Sequence, residues 1–274
     1  VLGDFQLLTG SEASHYFKLN SAKYSKQALV PKRLRGRYTL RMPSPDLANT
    51  VLPAGDGFAC GTLWKGGWLS LWGRSNSGAK FTYGSPLLRG HLVPLYVSPA
   101  PELGIETILG SVWFRNKATT DLDGEVRYYR EASGAGYYRE GFDESLSLEG
   151  SKYVVPTLSE LALDNYPFTG ASAVAEITGG DFDGLTYPVS FTHVRDKLKS
   201  KTISPSQPSY TTYGGVNHKN GMIWGQLNAF TSGENTDDVK TYYRGVVLQK
   251  QALVSGQAET VGSGVGRYSI IPAP

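Results

Sequence analysis

The sequence predicts an all-β protein, an antiparallel barrel or sandwich built from two related β-halves. Glycine is enriched, with 33 residues among 274, and tyrosine (17) and tryptophan (5) are frequent. Strands rich in aromatic and β-branched residues, separated by glycine-containing turns, are typical of these folds. Helical periodicity is nearly absent, whereas apolar and polar residues alternate with period two between turns about 8 to 12 residues apart.

The predicted strands follow one another through short connections, so we expect antiparallel pairing between sequence neighbours. In the first half they are predicted at residues 37–42, 57–64, 68–74, 80–84, 91–97, 108–114 and 124–130. In the second half they are predicted at residues 173–178, 186–194, 209–216, 222–230, 240–251 and 266–271. The best helix candidate is 157–165, where Thr157 and Glu160 have capping-box spacing, although an extended linker also fits.

A weak internal similarity suggests the two halves. Tyr-Tyr-Arg occurs at 137–139 and again at 242–244, and each is followed by a glycine and later by a Gly-Tyr-Pro pattern. We therefore predict an N-terminal segment at 1–34, a first β-half at 35–156 and a second at 157–274, or one continuous domain. Chance similarity between strands rich in glycine and tyrosine is the alternative.

Charge and cysteine content exclude several classes of protein. The net charge of +3 is a mild excess, so we expect no nucleic-acid partner, and we interpret the basic run 32–37 as an exposed strand edge. Cys60 is the single cysteine, which excludes an intrachain disulfide and a thiolate zinc site. It is expected to be a small buried apolar residue, with a reactive thiol as the alternative.

No signal peptide or membrane helix is recognisable in the sequence. No apolar run approaches the roughly 20 residues of a membrane helix, so we expect no membrane span. The sequence opens Val-Leu-Gly without methionine, and we expect a mature or excised fragment.

Several short motifs resemble a β-rich module found, often near the C-terminus, in large secreted and cell-surface bacterial proteins. The matching positions are Gly36, Tyr38 and Thr39, then 55–58 (GDGF), 61–62, 94–96 (PLY), Gly110, 141–142, 150–151, Tyr153 and Pro156, and finally 245–251 (GVVLQKQ). The last is the most specific. The sequence departs from the pattern at 76–78, Asn-Ser-Gly in place of Ala-Asp-Gly, and at the proline-rich stretch 98–104.

The resemblance covers about residues 35–271 and implies an exported architectural or adhesive module. We therefore expect a non-enzymatic, extracellular or cell-surface structural or assembly module of a larger bacterial protein. Its expected partner is its parent polypeptide or a second copy of itself, paired through exposed edge strands.

The hairpin around Trp68 and Trp72 offers an alternative function. On a strand, these two side chains share one face, and Leu69 and Leu71 share the other. If the leucine face is the core, Trp68, Trp72 and Tyr83 form a platform on which sugar rings stack, and the protein is a carbohydrate-binding module for a polysaccharide. If the tryptophan face is the core, the indoles are packing mass. Core positions are expected for Trp64, Trp113 and Trp224, each flanked by an aliphatic residue.

Two Asp-x-Asp-Gly segments are candidate calcium sites. Asp121 and Asp123 form the first, and Asp181 and Asp183 the second. Calcium prefers several oxygen ligands, which spaced carboxylates in a tight loop supply. The alternative is a β-turn in which aspartate caps the backbone and glycine takes positive φ.

No catalytic motif is recognisable, so we predict that the protein is not an enzyme. The four histidines lack metal-ligand spacing, and no nucleophile elbow, zinc helix motif or phosphate loop occurs. A glycan hydrolase is the second alternative, since it needs only two acids about 5 to 10 Å apart. The acidic candidates are Glu125, Asp143, Glu144 and Glu149.

Overall fold

The computed structural model describes residues 4–7, 15–18, 24, 28–47, 49, 51–99, 105–134, 138–155, 173–180, 182–194, 197–201, 211–229, 239–260 and 265–272. These residues are almost all β and contain no α-helix, which confirms the predicted antiparallel all-β class. The helix candidate at 157–165 lies outside the described residues. A two-stranded hairpin stands apart from the larger sheets, with β1 at Asp4–Leu7 and β2 at His15–Lys18.

The first eight-stranded sheet is nearly closed and barrel-like, and we call it the first barrel. It runs as a meander whose first strand pairs with its last, in the order β6-β5-β4-β3-β10-β9-β8-β7. The strands are β3 Gly36–Met42, β4 Gly57–Leu63, β5 Trp68–Arg74, β6 Lys80–Pro86, β7 Leu92–Val97, β8 Glu106–Phe114, β9 Leu122–Arg130 and β10 Phe142–Tyr153. Short 3-10 turns occur at Lys32–Leu34 and Arg89–His91.

The second eight-stranded sheet repeats this circular order, with its first strand again paired with its last: β13-β12-β11-β18-β17-β16-β15-β14. Its end strands, β13 and β14, run beside each other. The strands are β11 Ala173–Gly179, β12 Phe182–Val194, β13 Lys197–Lys201, β14 Thr211–Asn217, β15 Met222–Ala229, β16 Val239–Leu248, β17 Leu253–Thr260 and β18 Val265–Pro272.

The internal similarity is only partly reflected in this architecture. Tyr138 and Arg139 of the first Tyr-Tyr-Arg lie in the turn that precedes β10, the last strand of its sheet, whereas Tyr137 lies outside the described residues. The second Tyr-Tyr-Arg lies on β16, the sixth strand of its sheet. The burial differs as well, since Tyr138 packs partly buried against the core of the first barrel and Tyr242 is exposed. The later Tyr153 and Tyr268 both lie on the last strand of their sheet and are both buried.

Alternation along every strand fills the first barrel with apolar side chains. On β3, for example, Tyr38, Leu40 and Met42 point inward and are buried, while Arg37 and Arg41 point outward. All eight strands contribute to this core. Burying a large apolar side chain stabilises a fold by about 1.5–3 kcal/mol, so the filled interior accounts for much of the barrel's stability.

The outer face of the first barrel packs against the second sheet. Phe58 and Cys60 on β4 form a buried cluster with Val246 and Leu248 on β16. Beside this cluster, the Thr39 hydroxyl donates a hydrogen bond of 2.7 Å to the Val247 carbonyl. The contact between the two sheets therefore combines apolar burial with specific hydrogen bonds.

Asp56, in the GDGF motif, lies fully buried at this contact. Its carboxylate accepts hydrogen bonds from the Ser255 hydroxyl (2.6 Å) and the Ser44 N–H (2.9 Å). Arg41 lies 3.7 Å and Arg267 3.9 Å from the same carboxylate. Burial raises the pKa of Asp56 above its ordinary value, whereas these four neighbours act in the opposite direction. One side chain thus joins β17 and β18 of the second sheet to the first barrel.

The turn at 76–78 is fixed from several directions. The Asn76 amide donates to the carbonyls of Met42 and Gly55, both at 2.9 Å. The Ser77 hydroxyl donates to the buried carboxylate of Glu106 at 2.7 Å, which also accepts from the Tyr128 hydroxyl at 2.8 Å. Burial beside Glu106 raises the pKa of Tyr128 well above its ordinary value. The Asn-Ser-Gly sequence at 76–78, which departs from the resembled pattern, is therefore held in place by specific hydrogen bonds.

Asn76→Ala is expected to lower the free energy of unfolding by about 2–4 kcal/mol, because two buried carbonyls lose their donor. Denaturant titration followed by far-UV circular dichroism measures the change. Asn49→Ala is the matched control, since among the described residues the Asn49 side chain accepts from the exposed Val51 N–H, and we expect a change within about 0.5 kcal/mol. Equal stabilities for the two variants would contradict the assigned role.

Candidate binding surface

Strand β5 resolves which side of the tryptophan hairpin faces solvent. Leu69 and Leu71 are buried in the barrel core, at 1% and 4% exposure. Trp68 and Trp72 lie on the outer face and are 50% and 42% exposed. The sequence left open which face of this hairpin forms the core. In the structure the leucine face forms the core, and both indoles are exposed to solvent.

Trp64 joins these two indoles on the same surface. It follows the end of β4, where its backbone N–H donates to the Trp68 carbonyl at 2.9 Å. Its indole N–H lies 3.4 Å from the Ser70 hydroxyl, and 57% of the residue is exposed. We call Trp64, Trp68 and Trp72 the tryptophan face.

A glycine on the neighbouring strand seats the Trp68 ring. A Cβ added at Gly84 of β6 would come within 3.0 Å of the Trp68 indole nitrogen, so the ring lies against bare backbone. The second sheet repeats the arrangement, because a Cβ at Gly215 would come within 2.9 Å of the Trp224 ring. An aromatic ring over a strand glycine shields backbone from water. These indoles therefore have a stabilising role as well as an exposed surface.

Several expectations about aromatic residues are wrong. Trp64, Trp113 and Trp224 were expected in the core, yet Trp64 and Trp224 are about half exposed, and Trp113 lies partly exposed on the outer face of β8. Each has an aliphatic sequence neighbour because inward and outward positions alternate along a strand.

The prediction that Tyr83 shares the surface of Trp68 and Trp72 is also wrong. Tyr83 pairs with Leu71 and therefore points toward the barrel core, where its hydroxyl donates to the Pro94 carbonyl at 2.7 Å. That bond joins β6 to β7, the two end strands of the sheet.

The first pair of candidate calcium ligands is occupied by cations. Asp121 accepts from the Lys250 ammonium at 2.8 Å and from the Lys152 N–H at 2.7 Å. Asp123 lies 3.1 Å from Arg115 and 2.5 Å from Lys117. The two carboxylates therefore bind different partners, and calcium binding at this pair stays a prediction.

The alternative interpretation of these segments as β-turns is wrong, because Asp123-Gly124 and Asp183-Gly184 lie within strands β9 and β12. Asp181 lies outside the described residues, as does the side chain of Asp183. Among the residues that the structure describes, no three His, Cys, Asp or Glu side chains are grouped closely enough to hold a metal ion.

Of the acids considered for glycan hydrolysis, Glu125, Asp143 and Glu149 lie on the outer face of the first barrel. Glu144 lies opposite Tyr128 and therefore on the face of β10 that carries the core residues. Asp143 and Glu149 are six residues apart on β10, which separates them by about 20 Å. Asp143 is bound by Arg127, which lowers its pKa. The Arg41 guanidinium lies 2.5 Å from Glu149.

Glu125 and Glu149 come closer to a catalytic spacing. Glu125 lies opposite Ser147, so Glu149 is its diagonal neighbour at about 7–8 Å between Cα atoms. Both line an open groove of about 740 Å³, together with Trp113 and Arg115, whose guanidinium stacks 4.9 Å from the indole. Because Arg41 pairs with Glu149 and the groove is open to water, we interpret it as an ion-paired surface.

Comparison with known protein families and with curated proteins finds no match to this chain. Within the described part of the chain, no helix is long and apolar enough to cross a membrane. The function therefore has to be argued from the fold and from the surfaces described above.

Sequence reasoning missed Trp64 and the glycine seats. The signal in the sequence was weak, because Gly84 is the last residue of the predicted strand 80–84. In the structure it lies in the interior of β6, Lys80–Pro86, where glycine has no side chain to pack. Such a glycine marks a close approach by another group, here the ring of Trp68 on the next strand.

Gly84→Val is expected to displace the Trp68 indole, because the new side chain occupies the seat of the ring. The measurement is the indole N–H region of a ¹H–¹⁵N spectrum, with the Trp68 signal assigned by Trp68→Phe. Gly66→Val is the matched control, since a Cβ there meets no atom within 4 Å. An unchanged Trp68 signal in Gly84→Val would show that the ring does not rest on this glycine.

Proposed function

We propose that this protein is a non-enzymatic structural module of a larger extracellular or cell-surface bacterial protein. In this module the first barrel and the second sheet act as one rigid body. The observation that carries the proposal is the position of the motif residues. GDGF supplies Asp56 and Phe58, and GVVLQKQ supplies Val246 and Leu248, all buried where the two sheets meet.

The end of the GVVLQKQ motif supports the same role. The Gln249 amide forms two hydrogen bonds with the backbone of Val154, with its oxygen accepting at 2.7 Å and its nitrogen donating at 3.0 Å. The Lys250 N–H donates to the Ser151 hydroxyl at 2.9 Å, and that hydroxyl donates to Gln251. Three consecutive residues thus bind the end of β10 and Val154, which follows it. Residues that recur for architectural reasons are expected at such a contact.

The proposed partner is the parent polypeptide. Self-association through edge strands is less favoured for the first barrel, because its end strands β6 and β7 approach each other. A sheet that closes on itself leaves few unpaired backbone groups for another copy.

Cys60 provides a native probe of the rigid contact. Burial raises the pKa of its thiol to about 12, so few thiolates form while the sheets stay together. We expect Cys60 in the native protein to react with a thiol reagent at least about tenfold more slowly than in the unfolded protein at mildly alkaline pH. Rapid labelling of the native protein would contradict a rigid two-barrel unit.

Asp56→Ala is expected to accelerate this labelling about tenfold or more, since it removes the acceptor for Ser255 and Ser44. Asp143→Ala is the control, because its ion pair with Arg127 is exposed and far from the contact. Denaturant titration of both variants separates local opening from global unfolding.

The second candidate function is binding of a polysaccharide by the tryptophan face. It is favoured by the exposure of three neighbouring indoles, because flat, amphipathic rings at the surface suit the apolar faces of sugars. A rigid spacer has no need of such a surface.

Tryptophan fluorescence titrated with a panel of polysaccharides tests this candidate. We expect binding by the native protein that weakens about tenfold in Trp68→Ala and in Trp72→Ala, through loss of stacking. Tyr129→Ala is the control, since Tyr129 is an exposed aromatic on the outer face of β9. The absence of a response to every polysaccharide would exclude binding to the panel and leave the structural role.

A further inference from the structure

The tryptophan face ends at the seam between the first barrel and the second sheet, where Arg74 follows Trp72 by two positions on the same outer face of β5. The Arg74 guanidinium lies 3.7 Å from the carboxylate of Glu259 on β17. It also donates to the Gly78 carbonyl at 2.9 Å, which fixes its position. Arg74 therefore reaches from the first barrel onto the second sheet.

Strand register places further aromatic and basic groups beside this point. Glu259 lies opposite Tyr242 on β16, and Arg244 follows Tyr242 by two residues on the same face. Arg244 in turn lies opposite Trp224 on β15. Trp224 and Tyr242 are both exposed, at 47% and 37%. The exposed aromatic groups of the first barrel and of the second sheet thus lie on either side of Arg74 and Arg244, which we call the arginine pair.

The seam carries an excess of positive charge. Arg74 and Arg244 are close enough to repel each other, and burial together with this repulsion lowers the pKa of Arg74. Glu259 is the one carboxylate at the pair among the described residues, and its side chain is 50% exposed. Two neighbouring guanidinium groups beside one half-solvated carboxylate, which pairs with Arg74, favour an added anion.

We propose that Trp68, Trp72, the arginine pair and Trp224 form one continuous binding surface across the seam, and that its ligand is an acidic polysaccharide. This inference rests on the polysaccharide-binding candidate above and specifies its ligand. The aromatic rings stack against sugar faces, and Arg74 and Arg244 bind the carboxylate or sulfate groups of the chain.

The dimensions of the surface require a chain rather than a single sugar. Trp68 and Arg74 are six residues apart on an extended strand, which spans about 20 Å. Trp224 lies farther along, on the second sheet. A monosaccharide cannot contact both ends, so affinity is expected to rise with the length of the oligosaccharide.

The test compares three oligosaccharides of equal length, one built from uronic acids, one sulfated and one neutral, by calorimetric titration of the full chain. We expect an acidic ligand to bind about tenfold more tightly than the neutral one, with an advantage that shrinks as salt rises. The uronic and sulfated arms distinguish which anionic group the surface prefers.

Arg244→Gln is the diagnostic variant, and we expect it to lower affinity for the acidic ligand about tenfold while leaving affinity for the neutral ligand unchanged. Arg127→Gln is the matched control, because it makes the same change of charge at an exposed ion pair on β9. Thermal unfolding of both variants checks that they fold. The salt dependence of acidic-ligand binding by the native protein is a second test, and it requires neither variant.

Equal affinity for neutral and acidic ligands, or equal losses in the two arginine variants, would overturn the inference while leaving polysaccharide binding in place. Acidic binding that survives Trp72→Ala unchanged would mark simple ion exchange and would also overturn it. Failure to bind any of the three would overturn both the inference and the candidate on which it rests.

Discussion

The pairing of the first strand with the last is the constraint on which the rest of this structure depends. In the first barrel, β3 pairs with β10, so that Arg41 meets Glu149 across 108 positions of sequence. This closure gives every strand an inner face, filled with apolar side chains, and an outer face. The outer faces of the closing strands carry Thr39 and Ser151, which bind the second sheet. Docking of the second sheet therefore requires a closed first barrel.

Period-two alternation was sufficient to predict most of the strands, and β5 was predicted at its observed bounds, 68–74. Two strands in the interior of their sheets were missed, β10 and β17. Both contain serine, glycine and acidic residues with low strand propensity. Part of each outer face is polar and buried where the two sheets meet, as Ser151 and Ser255 are. A local pattern cannot reveal that Ser151 has a partner 99 positions away and Ser255 one 199 positions away.

The candidate site was predictable only in part, for a related reason. Alternation separates Trp68 and Trp72 from Leu69 and Leu71 but does not say which pair faces water. The closed barrel decides this, because Leu69 and Leu71 belong to its core and the two indoles lie on its outer face. Tyr83 was predicted on the wrong face for the same reason. Its side chain lies on the same face of the sheet as Leu71, opposite the face of the tryptophans. The paired charges of Asp121 and Asp123 depend on Lys250 and Arg115, which no spacing rule connects to them.

Rigidity and binding are linked by one contact. The Gln257 amide donates to the carbonyl of Ser75, the residue next to Arg74, and Gln257 lies opposite Arg244 on the neighbouring strand. The hydrogen bond that fixes the second sheet against the first barrel therefore also sets the distance between the two arginines. If the sheets slid or opened, Arg74 and Arg244 would separate and the exposed aromatic groups would no longer lie along one surface. A rigid body is thus the condition for a composite binding surface, and the two proposed roles support each other physically.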